Sequence, residues 1–137
     1  MSFHLCGSSK PFEGVALRDL NNGMWRVTEA FYFRYNDNVI IHVPAGFESD
    51  LFSIPRAARW LYPKAMKRGN AAAIIHDYII SQLHGVYSRE FADKIFCAAL
   101  KAQRMKPKRL ALIVAGVKGY TKWLKTKKQL VNTLTNL

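Results

Sequence analysis

Val43-Pro-Ala-Gly-Phe-Glu-Ser-Asp-Leu-Phe-Ser-Ile-Pro55 is where the character of the chain changes. Before it, aromatic and β-branched residues recur every second position; after it, apolar residues recur at helical spacing. Pro44 and Gly46 permit a tight backbone, so this passage reads as the loop between a β half and a helical half. Downstream comes Ala71-Ala-Ala-Ile-Ile-His-Asp-Tyr78. The two stretches set Asp50, Ser53, His76 and Asp77 among apolar neighbours. Such groups cost free energy there unless they are paired, so the pattern needs a chemical reason.

Upstream, Val15 to Leu20 reads as a strand and Asn21-Asn-Gly23 as the turn after it. Met24 to Tyr35 follows, with Trp25, Val27, Phe31, Phe33 and Tyr35 on odd positions that predict one buried face. Asn36-Asp-Asn38 is a second turn, and Val39-Ile-Ile-His-Val43 a third strand. His4 is expected in an unstructured start. Downstream, the sequence predicts a short helix over Arg56 to Leu61, ended by Pro63, and a very apolar helix from about Asn70 to Leu83. Gly85 closes the latter and Ser88 caps a helix from Arg89 to about Gln103. Pro107 suits the first turn of a last helix reaching roughly Lys127. On it Leu110, Ile113, Val114, Val117, Tyr120 and Leu124 form one stripe, with Lys108, Lys118, Lys122 and Lys125 opposite. The expected fold class is α+β, an antiparallel meander of about three strands packed on three main C-terminal helices. Residues 1–137 are expected to make a single domain, with its halves meeting near residue 56.

At 137 residues, half of them hydrophobic, the chain can bury a core without staples. Cys6 and Cys97 form no metal or disulfide pattern, which favours a reducing, intracellular setting. No signal-peptide core is visible in the first ten residues, and the apolar run Leu110 to Val117 is too short for a transmembrane segment. The net charge of +12 is uneven: residues 1–56 hold five basic and six acidic side chains, and residues 101–137 ten basic and none acidic. That block favours a polyanionic neighbour, whether nucleic acid, an anionic surface or an acidic protein.

Asp93 shares a helix face with Phe96, Cys97 and Leu100, so its carboxylate needs a donor. His76 from the preceding helix can supply one, which would fix the imidazole tautomer as a general base requires. Arg89, four residues before Asp93, offers a purely structural alternative as a helical ion pair. Asp50 and Ser53 can equally cap a helix or make an Asx-type turn, and His76 can be a core histidine bonded to a carbonyl. Ser53 is a candidate catalytic residue but lacks the Gly-x-Ser-x-Gly elbow of serine hydrolases. His76 and His84 stand too far apart along a helix to share zinc. A hard divalent cation such as calcium on the oxygens of Asp50 and Asp77 is the more credible metal.

The run Val43 to Arg56, the spacing to His76-Asp77-Tyr78, and Arg89 followed by Ala92-Asp93 resemble a family of small proteins of tailed bacteriophages and prophages, which carry only a domain-of-unknown-function label. In that family's pattern Ser49 is more often Thr, Phe52 is Ala, and Ile79 and Ile80 are Leu and Tyr. The resemblance implies a phage origin, in the host cytoplasm or in the particle, with other phage proteins as partners. The helix pair alone is similar to the catalytic helices of phospholipases A2. That likeness implies that His76 activates a water, Asp77 helps hold calcium and Asp93 orients the imidazole. The lipase calcium loop has no counterpart here beyond Asp50 and the Gly46 turn.

Three functions follow. The first is a hydrolase-like site built on His76, Asp93 and Ser53, acting on esters or amides of lipid or cell envelope. The second is a non-catalytic virion, tail or assembly protein in which the same residues clasp the two halves. The third is polyanion binding through Lys108, Lys118, Lys122 and Lys125, including weak nonspecific affinity for nucleic acid.

Overall fold

A computed structural model describes residues 1–51, 62–103 and 107–135. The odd-numbered alternation predicted from the sequence does bury one face: Val27, Phe31 and Phe33 are sealed in the core, with Trp25 and Tyr35 half-buried. The residues that carry it nevertheless belong to two sheets. Strands β1 (Ser2–Leu5), β4 (Phe31–Asn36) and β5 (Val39–Val43) form one antiparallel sheet in the order β1-β4-β5. Strands β2 (Leu17–Asp19), β3 (Trp25–Val27) and β6 (Glu48–Ser49) form the other, in the order β2-β3-β6.

The chain changes sheets between Val27 and Phe31. Thr28 N–H donates to Ala16 C=O on one side, and Cys6 N–H to Ala30 C=O on the other. The four-residue step keeps Val27 and Phe31 in phase, so a periodicity of two does not reveal the break. His4, expected in an unstructured start, stands in β1 opposite Tyr32, with ring centroids 4.9 Å apart. Phe3 explains why this short strand holds: its ring packs on Phe12, Phe31 and Phe33.

Both predicted hairpins are present. Asn21 adopts a positive φ of 61° and Gly23 one of 85°, with Asn21 N–H donating to Asp19 Oδ1. Asn36 Oδ1 accepts from Asn38 and Val39 N–H, both at 2.8 Å. In the reversal after β5, Gly46 has φ 96° and donates to Val27 C=O at 2.7 Å, which docks this turn onto β3.

Helix α1 spans Tyr62–Gln82, α2 Arg89–Ala102 and α3 Pro107–Thr135. The first begins earlier than its apolar pattern predicts, because Pro63 lies in the first turn, where its missing N–H costs nothing. The short helix expected over residues 56–61 lies outside the described residues. Ser88 caps α2 as predicted, its Oγ accepting from Phe91 N–H at 3.1 Å. The third helix runs two turns beyond Lys127, through a stretch with neither Gly nor Pro to stop it. Ala71, Ala72, Ile74, Ile75 and Ile79 of α1 pack with Ala92, Ile95, Phe96 and Ala99 of α2 in a core shared with the β half. The small alanines let the two helices approach closely enough to exchange polar bonds across the core.

Candidate functional site

Polar side chains are few in this interior, and three of them meet. His76 from α1, Asp93 from α2 and Thr121 from α3 are 2, 4 and 6% exposed. His76 Nε2 lies 2.7 Å from Asp93 Oδ1, and the Thr121 hydroxyl donates to Asp93 Oδ2. An ionised carboxylate only accepts, so Nε2 carries a proton, and in the neutral form of the ring the lone pair is on Nδ1. That nitrogen is buried and has no hydrogen-bond partner among the described residues. The ring of Phe96 meets the imidazole edge-on at 5.0 Å between centroids, fixing its tilt.

The predicted pairing of Asp93 with His76 is therefore present, and each carboxylate oxygen of Asp93 has a partner on another helix. Thr121 was not singled out by the sequence reading, although the signal was there. It sits four residues after Val117 and three before Leu124, a polar residue within the apolar stripe of α3.

Asp50 and Asp77 are both partly exposed. Asp50 follows β6, and the next residue, Leu51, has a positive φ of 60° with its side chain sealed in the core. A left-handed conformation costs a non-glycine residue about 1–2 kcal/mol. Burial of the leucine side chain offsets this, and Leu51 N–H donates to Ser49 Oγ at 3.1 Å. Asp77 stands next to His76 on α1, and its carbonyl accepts from Ser81 Oγ. Ser53 lies outside the described residues.

No group of three or more His, Cys, Asp or Glu is placed to hold a metal among the described residues.

Between α2 and α3 lies a groove of about 590 Å³, lined by Asp93, Cys97, Thr121, Lys94, Lys101 and Lys122 together with the Glu90–Lys125 ion pair. The Lys125 hydrogen bond is the largest cause holding the Glu90 carboxyl below its ordinary value. Of the lysines predicted to meet a polyanion, Lys108, Lys122 and Lys125 are exposed. The side chain of Lys118 is outside the described residues. No helix of the described residues is long and apolar enough to cross a membrane.

A family model described as "Protein of unknown function (DUF1353)" matches residues 25–117, about two-thirds of the chain. No curated protein and no solved structure matches.

Proposed function

Because the chain belongs to that family of proteins of unknown function, which assigns no reaction, we propose its function from the site itself: a hydrolase-like centre in which His76 is the general base. The observation that supports this reading is the division of labour on one imidazole. Nε2 is held by Asp93, while Nδ1 is left buried with its lone pair. His76 is 2% exposed and does not line the groove, so in the proposed step the core beside Nδ1 first opens to admit water and substrate. Nδ1 then takes a proton from the water as its oxygen bonds to an ester or amide carbonyl carbon. Asp93 stabilises the resulting imidazolium, and the proton then passes to the leaving oxygen or nitrogen as its bond to carbon breaks. Asp50 and Asp77 are the residues that would hold a divalent cation, which when bound would polarise the carbonyl. The roles are assigned by analogy with the helix pair of phospholipases A2, on the sequence resemblance alone. With the phage-type motif, it favours lipid or cell-envelope esters and amides as substrates, met in the host cytoplasm or at the particle.

A specific observation favours a second reading. Asp93 also bonds Thr121, so one largely buried carboxylate ties three helices together beneath the groove between α2 and α3. That is the geometry of a structural clasp in a virion, tail or assembly protein. His76→Gln separates the two, because glutamine retains an N–H for Asp93 but cannot act as a base. Hydrolysis of p-nitrophenyl esters and of phospholipid vesicles should fall about 10²–10⁴-fold in this variant, with the melting temperature preserved. A wild-type protein inactive on both, joined to a Gln variant that unfolds, would leave only the clasp.

A further inference from the structure

The last four turns of α3 carry large apolar side chains on the outside. Trp123, Leu130, Val131 and Leu134 are 53–69% exposed. At 100° per residue they fall within an arc of about 100°, with Trp123, Leu130 and Leu134 nearly in line. Thr121 and Lys125 show which side of α3 faces the body, since they bond Asp93 and Glu90 of α2. Those two positions lie roughly opposite the apolar arc. The arc is thus the outer face of the helix, turned away from the core.

What could cover such a face is constrained by charge. From Lys101 to Leu137 there are ten basic residues and no acidic one; Lys127 lies within the arc, between Leu134 and Val131, and Lys122 and Lys128 flank it. A second copy of this chain would bring two such blocks together and repel itself. A nucleic acid would satisfy the lysines and leave the leucines in water. An anionic bilayer satisfies both, with acyl chains for the leucines and headgroups for the lysines. Trp123 suits the boundary between them, and the Lys127 ammonium already lies 5.2 Å from the centre of its ring. We infer that the outer face of α3 docks in the plane of an anionic phospholipid surface, with Trp123, Leu130, Val131 and Leu134 entering the headgroup boundary. This stands independently of any chemistry at His76.

Co-sedimentation of the whole chain with vesicles tests it, comparing phosphatidylglycerol-containing vesicles with pure phosphatidylcholine at physiological salt. Binding should require phosphatidylglycerol. Leu130→Glu with Leu134→Glu should weaken it at least about tenfold while helical circular dichroism stays unchanged. Lys127→Ala and Lys128→Ala should each weaken it about fivefold. Tryptophan emission should shift to the blue on binding, and Trp123→Phe should abolish the shift. Equal binding to both vesicle types would overturn the proposal. So would leucine variants that bind like the wild type, since the surface would then be a mere polycation. A concentration-dependent dimer dissolved by the same leucine changes would assign the face to a second copy instead.

Discussion

The inner and outer faces of α3 put the same helix to opposite uses. Inward, Thr121 gives its hydroxyl to a buried carboxylate, and the surroundings leave each polar atom few choices. Outward, Trp123, Leu130, Val131 and Leu134 lie in water beside lysines, where most substitutions cost the fold nothing. The difference shows that burial, rather than residue type, decides which polar groups hold this protein together. A hydroxyl inside is expected to matter more to stability than three leucine-sized side chains outside.

That contrast can be broken in order of expected effect. Asp93→Ala should be the most damaging change, because it strands His76 and Thr121 at once. Each buried donor left without its acceptor costs about 1–3 kcal/mol, and the loss of both should be readable as the largest drop in urea midpoint. Thr121→Val keeps the shape and leaves Asp93 Oδ2 short of a donor, for about 1–3 kcal/mol by the same measurement. A cost near zero would mean that the inner face is held by packing alone. Ser88→Ala removes the cap of α2 and should cost about 1 kcal/mol. Leu134→Ala on the outer face should stay within about 0.5 kcal/mol.

The smallest effect concerns the Glu90–Lys125 ion pair, at the exposed rim between the two faces. The folded-state pKa of Glu90 is depressed, so its contribution is present above the unfolded value. It is lost as pH falls through the folded value. The melting temperature of the wild type should exceed that of Glu90→Gln by a small margin at neutral pH. The margin should vanish in acid and shrink in high salt. A margin that grew on acidification would contradict the assigned pairing.

Much of this arrangement was legible in the sequence where local chemistry has a single outcome. The Asn-rich turns, the Ser88 cap, Pro107 at the head of α3 and the switch from β to α after Pro44 and Gly46 all have short-range causes. The pairing of Asp93 with His76 was legible because an isolated carboxylate on an apolar helix face must find a donor. The two-sheet arrangement was not, since Val27 and Phe31 remain in phase across the break. Strand β1 was missed because four residues carry too little pattern, and its stability comes from rings far along the chain. The early start of α1 was hidden by Pro63, which reads as a stop unless the helix begins beside it. Thr121 was hidden among apolar neighbours in the sequence, and the two extra turns of α3 by the end of the apolar stripe at Leu124.

The stretch shared with the family ends at residue 117, one helical turn before Thr121. The imidazole–carboxylate couple thus lies wholly within the shared stretch, while its second brace is contributed from beyond it. A graft of residues 25–117 would therefore carry both members of the couple, His76 and Asp93. The donor to Oδ2 would then have to come from a helix outside the shared stretch, as Thr121 does here.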